Sequence, residues 1–103
     1  MLLIEAYEVD PSKMSELMKM YDLSKEILKD LNLPFVKDWK VYQSQGDPSK
    51  IQSLVVFSEG GNYDLLMEAY LKHPKAGLVI ERFQSLAVEG SITTSNHTEL
   101  ISL

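Results

Sequence analysis

The sequence predicts an α+β fold of β-α-β-β-α-β order, a ferredoxin-like antiparallel sheet carrying its helices on one face, in a single domain spanning residues 1–103. Three observations predict it. Two short apolar runs, Leu2–Val9 and Ile51–Ser58, alternate in the manner of strands. Each is followed by a segment with apolar residues at helical spacing. A Gly-Asp-Pro turn cluster then separates two candidate strands in the middle of the chain, which is the mark of a hairpin.

Along the first run, Leu2, Ile4 and Ala6 lie on one face and Leu3, Glu5, Tyr7 and Val9 on the other. A strand that is apolar on both faces is covered on both sides. Asp10-Pro11 supplies a helix start, with a capping carboxylate and proline at the first helical position. The helix that follows presents Met14, Leu17, Met18, Tyr21, Leu28 and Leu31 on one face. A second stripe of Met20, Leu23 and Ile27 widens that face beyond the needs of one sheet contact.

Asn32-Leu33-Pro34 ends the helix. In the second strand, Val36–Ser44, Trp39, Val41 and Gln43 alternate with Asp38, Lys40 and Tyr42. Gln45–Lys50 forms the turn, and the third strand sets Ile51, Val55 and Phe57 against Leu54 and Val56. Gly61 or Asn62 caps a helix whose inner face is Tyr63, Leu66, Met67 and Tyr70, and Pro74 breaks it. A further helical segment carries Ala76, Val79, Ile80, Phe83 and Ala87, and Ser91–Leu103 is the remaining candidate for a fourth strand.

Composition narrows the function classes. The chain has 103 residues, no cysteine and a net charge of −5. Absent thiols remove disulfides, thiolate metal sites and cysteine nucleophiles, and they suit a cytoplasmic setting. The acidic balance, without a lysine or arginine cluster, argues against nucleic acid. No apolar run is long enough for a membrane span, and Met1–Val9 lacks the basic start of a signal peptide. Helices on one face leave the other sheet face apolar and bare, an exposure that pairing two sheets across a two-fold axis removes. A homodimer is therefore expected.

Two segments carry a family resemblance. LVVFSEGGNYDLLMEAYLKHPKAGLVIERFQSLA, from Leu54 to Ala87, joins a strand ending in an aromatic and an acidic residue to a helix, a histidine-bearing break and a phenylalanine-bearing helix. LLIEAYEVDPSKMSELMKMY, from Leu2 to Tyr21, joins a strand to a long helix through a proline-bearing cap. On both, the chain resembles the dimeric α+β barrel superfamily, particularly its antibiotic-biosynthesis monooxygenase-like and NIPSNAP-like branches. The resemblance implies a ligand pocket between sheet and helices. It also implies one of several activities: cofactor-free oxidation of polyketide-like phenols, haem chemistry, cyclisation, or isomerisation of small lactones. The haem-degrading pattern of asparagine, tryptophan and helical histidine is not met. The first strand carries Glu5 and Tyr7 instead, and Trp39 falls on the second strand. No cofactor is expected.

His73 is the catalytic candidate, at a helix break where relatives often carry a histidine. An imidazole there suits a general base or a haem ligand, and the competing reading is a side chain that satisfies carbonyls freed at the helix end or is simply solvated. Tyr7, Trp39, Tyr42, Tyr70 and Phe83 are candidates for holding a small aromatic molecule, against core or interface packing. Glu5 on its apolar strand is a base if buried and merely solvated if it sits at the barrel edge, the reading preferred at this level. Arg82 reads as solvated and Gly60-Gly61 as a turn. The two histidines and the carboxylates show no metal-ligand spacing. The opposing view of the whole chain is a non-catalytic assembly module whose aromatics serve core and interface.

Overall fold

A computed structural model describes residues 1–103. The elements run β1 (Leu2–Glu8), a 3-10 turn (Pro11–Lys13), α1 (Met14–Leu31), β2 (Val36–Gln43), β3 (Lys50–Phe57), α2 (Tyr63–Leu71), α3 (Ala76–Leu86) and β4 (Thr93–His97). The four strands form one antiparallel sheet in the order β2-β3-β1-β4, which is the ferredoxin-like arrangement.

Local chemistry sets the boundaries. The Asp10 carboxylate accepts from the Ser12 amide at 3.0 Å, and Pro11 opens a tight turn before α1 proper. Asn32 takes the left-handed conformation at φ 48°, donating its amide to the Leu28 carbonyl, and stops α1. Asn62 caps α2 through its side-chain oxygen, which accepts from the Leu65 amide at 2.9 Å. Pro74 divides α2 from α3, as the sequence indicates.

Pairing fixes the faces. Leu3 pairs with Val55, Glu5 with Ser53 and Tyr7 with Ile51, and these residues point toward the helices. Between them and the helices lies a core that includes Tyr7, Leu17, Met20, Ile27, Ile51 and Val79. A smaller cluster of Leu3, Val55, Phe57 and Leu66 continues it toward the start of α2. The buried seam of α1 is Leu17, Met20, Ser24 and Ile27, whereas Met18 is 58% exposed. The expected placement of Met18 on the inner face is thus corrected. The helix is rotated so that Met20 and Ile27, read as a secondary stripe, meet the sheet and take Ser24 inward with them.

The opposite sheet face carries Leu2, Ile4, Ala6, Leu54 and Val56, all half-buried, and none of the three helices covers it. The C-terminal segment splits in two. Thr93–His97 closes the sheet against β1, while Leu100, Ile101 and Leu103 stay exposed.

Candidate functional site

A cavity of about 190 Å3 lies between the sheet and the helices. The sheet contributes Leu3 and Glu5 from β1, Ser53 and Val55 from β3, and Trp39 from β2. Met20, Tyr21 and Ser24 of α1 form one wall. Leu66, Met67 and Tyr70 of α2 form another, and Val79, Ile80 and Phe83 of α3 close it. Most of the lining is apolar, with polar groups gathered at Glu5, Ser53 and Tyr21, as small-molecule sites commonly are.

The polar end is built by register. Glu5 and Ser53 are direct cross-strand partners, so their side chains stand next to each other on the helix-facing side. Ser53 is buried and its Oγ accepts the indole Nε1–H of Trp39 at 2.6 Å. Trp39 therefore has its ring fixed against the cavity. Across from it, the Ser24 and Tyr70 hydroxyls share a hydrogen bond of 2.9 Å. The Tyr7 and Tyr21 hydroxyls are bonded to each other. Every buried side-chain polar atom has a partner.

Burial dominates the electrostatics. It raises the Glu5 carboxyl above the ordinary carboxylate range. It pushes the Tyr21 hydroxyl up to about 12, although the hydrogen bond with Tyr7 favours its ionised form. Tyr7, only 2% exposed, is raised further by burial and by the adjacent Tyr21 oxygen, so it remains a neutral phenol. Glu5 is thus the group of this site that exchanges a proton most readily. It is the one carboxylate on the wall, and no lysine, arginine or histidine lines the cavity.

The aromatic candidates divide by face. Trp39, Tyr70 and Phe83 line the cavity. Tyr7 stands behind the wall, edge-on to Phe83 with ring centroids 4.9 Å apart, and reaches the site through its bond to Tyr21. Tyr42 is corrected: it pairs with Gln52, whose position on β3 faces away from the helices, and its side chain is 51% exposed there. Period-two alternation sends Trp39 and Tyr42 to opposite faces of β2, so a single pocket cannot hold both.

His73 is corrected too, because it lies at the α2–α3 break outside the cavity. Its Nδ1 accepts the Lys75 amide at 3.1 Å, which places the ring proton on Nε2, and Nε2 donates to the Asp30 carboxylate at 2.9 Å. With both nitrogens engaged, the ring joins α1 to the break and has no lone pair free for a base or a ligand. The ring is neither solvated nor bonded to a freed helix-end carbonyl; it holds the break to α1 through Asp30.

Sequence reasoning underweighted Glu5, Tyr21, Ser24 and Ser53. Glu5 carried a visible signal, an acid on the helix-facing side of a strand whose neighbours Leu3 and Tyr7 are apolar. Ser24 and Ser53 carried little, since a serine reads the same in a core and on a surface.

No protein-family model matches the chain, and no curated protein matches it in sequence. Solved structures do share its fold. A Caulobacter crescentus protein provisionally named an antibiotic biosynthesis monooxygenase superposes with a TM-score of 0.70 at 16% identity, over 95% of this chain and 89% of that one. A similarly named Deinococcus radiodurans protein gives 0.65 at 14% identity, over 100% and 98%. A mutant of SnoaB, a cofactor-independent oxygenase from Streptomyces nogalater, gives 0.64 at 10% identity, over 99% and 94%. At such identities the likeness is one of fold. It is the ferredoxin-like α+β fold of antibiotic-biosynthesis monooxygenase-like proteins, and nothing in it singles out the NIPSNAP-like branch.

Proposed function

We propose that the chain, acting as one domain, binds a small aromatic or polyketide-like molecule in the sheet-to-helix cavity. It acts there as a cofactor-free monooxygenase or isomerase, with Glu5 as proton acceptor. The observation that carries this reading is the open cavity itself, apolar but with its one carboxylate beside Ser53 and Tyr21. A fold serving only core and assembly needs neither the volume nor a half-buried acid in its wall. The fold shared with a cofactor-independent oxygenase is in keeping with it.

Both chemistries begin with the same step. The Glu5 carboxylate takes a proton from a ligand hydroxyl or from a carbon beside a carbonyl, leaving a phenolate or enolate. Burial makes that carboxylate a stronger base than an ordinary one. Tyr21 and Ser53 stand beside it to donate to the anion that forms. Return of the proton to another carbon is isomerisation. In oxygenation the anion's carbon adds to dioxygen and, on protonation, gives a hydroperoxide. Its O–O bond then breaks as water leaves and that carbon becomes a carbonyl, so one oxygen atom stays in the product and the substrate supplies both electrons.

The reading includes a homodimer in the cytoplasm. The apolar face formed by Leu2, Ile4, Ala6, Leu54 and Val56 supports the dimer, because a second copy covers it without touching the cavity on the other side of the sheet. The cysteine-free sequence supports the compartment.

Exchange of the ring hydrogens of resorcinol in heavy water, followed by proton NMR, tests the chemistry, because the phenolate formed takes up deuterium at its ring carbons. The wild type accelerates exchange over buffer and Glu5→Gln does not. Equal rates with wild type, Glu5→Gln and buffer would remove the catalytic reading.

A further inference from the structure

Three properties of the cavity wall limit what it can take. The first is volume. A cavity of ~150 Å3 lined by apolar side chains accepts benzene, so about 190 Å3 holds one ring with about two or three further heavy atoms. The second is the partition on the α1–β2 side. Tyr21, Ser24 and Trp39 line both this cavity and an adjoining hollow whose outer residues include Met18, Lys25 and Val41, so they stand between the two. That partition is tied in place, with Trp39 bonded to Ser53, Ser24 to Tyr70 and Tyr21 to Tyr7. A three-ring ligand held wholly between sheet and helices has to break it. The third is charge. Glu5 is a carboxylate with no cationic side chain on the wall beside it, so an anionic ligand meets like charge with nothing to offset it.

We infer that this cavity selects neutral single-ring molecules bearing a hydroxyl donor, with Trp39 and Tyr21 setting the size limit and Glu5 the charge limit. The inference rests on the reading of the cavity as a ligand site, and it narrows the ligand from polyketide-like molecules in general to their one-ring members. The hydroxyl donates to the Glu5 carboxylate, which only accepts. The ring lies among Trp39, Phe83 and the aliphatic groups of α2 and α3.

Trp39 is the only tryptophan of the chain and stands in the cavity wall, so its emission reports occupancy directly. Three probes are titrated: para-ethylphenol, the closely size-matched para-hydroxybenzoate in which a carboxylate replaces the ethyl group, and the three-ring anthrone. Excitation is on the red edge of the indole band. The expected result is a saturable change with para-ethylphenol at an affinity at least about tenfold above that of the carboxylate probe, and none with anthrone. Glu5→Gln narrows the difference between the two one-ring probes, and Ser53→Ala admits anthrone by freeing Trp39. Binding of anthrone to the wild type in preference to para-ethylphenol overturns the size limit while leaving a ligand site. Equal binding of the two one-ring probes to the wild type overturns the charge limit in the same way. Failure of all three probes to bind overturns the ligand-site reading and this inference with it.

Discussion

The indole Nε1–H of Trp39 donates to the Ser53 hydroxyl at 2.6 Å, joining the edge strand β2 to β3 at the cavity wall. Trp39 would otherwise be a large side chain on an exposed edge, where its neighbours Val41 and Tyr42 are 38% and 51% exposed. The bond turns it inward, and the cavity has a wall because of it. Ser53→Ala should lower the unfolding free energy by about 1–2 kcal/mol, the scale of a hydrogen bond whose donor is left unpaired. It should also move Trp39 emission to longer wavelength. Urea denaturation followed by fluorescence measures both, and an unchanged emission maximum would show that the bond does not hold the ring.

Glu5 makes stability depend on pH in a definite direction. Burial raises its folded-state pKa above the value of about 4.5 it has when exposed, so the folded chain holds this proton more tightly than the unfolded one. The contribution of Glu5 to stability is therefore most favourable below the unfolded pKa and declines as pH rises through the folded pKa. Glu5→Gln should raise the urea midpoint at neutral pH, and the advantage should shrink as pH falls toward and below 4.5. A midpoint difference that stays constant across this range would mean that Glu5 is solvated.

His73→Ala removes a structural tie. It loses the bonds to Asp30 and to the Lys75 amide, and the Asp30 partner is a largely exposed carboxylate. The loss should be about 1 kcal/mol of stability, with ligand affinity at the cavity unchanged. A loss of ligand binding or of ring-hydrogen exchange in resorcinol, in a variant that remains folded, would return His73 to the site.

Gly61 has a packing reason to be glycine. A Cβ there would lie 2.9 Å from both the Cβ and the carbonyl oxygen of Phe35, and the backbone oxygen has no rotamer by which to move away. Gly61→Ala should destabilise by about 1–3 kcal/mol through overpacking. At Gly60 the cause is different, a left-handed φ of 86° with open space around it, so Gly60→Ala should cost about 1 kcal/mol. Thermal denaturation of the two variants checks both losses, and an unchanged midpoint for Gly61→Ala would show that the Phe35 backbone shifts to admit the methyl group.

The uncovered sheet face gives an assembly prediction. Sedimentation at micromolar concentration should show particles of twice the 11.7 kDa chain mass. Ile4→Lys, which places a charge on that face, should shift the population to monomer while leaving the cavity on the other side able to bind. Monomeric wild type would remove the dimer.

The element order, the helix caps and the break at Pro74 were legible in the sequence because they are local. Asp10-Pro11, Asn62 and Pro74 act within a turn of themselves, through their own side chains and rings. Alternation likewise assigned Leu3, Glu5 and Tyr7 to one face of β1, and placed Trp39 and Tyr42 on opposite faces of β2, as the pairing shows. Whether that face of Glu5 met solvent or a cavity depended on where α2 and α3 come to rest, more than fifty residues later in the chain. Likewise, His73 lost its free nitrogen to Asp30, a residue 43 positions away. Ser53 became a site residue only through Trp39 on a neighbouring strand. Short-range sterics and hydrogen bonding wrote the elements into the sequence. Burial and partner choice, which decide what an acid, a histidine or a serine can do, arise from contacts between distant segments and were settled only by the packed fold.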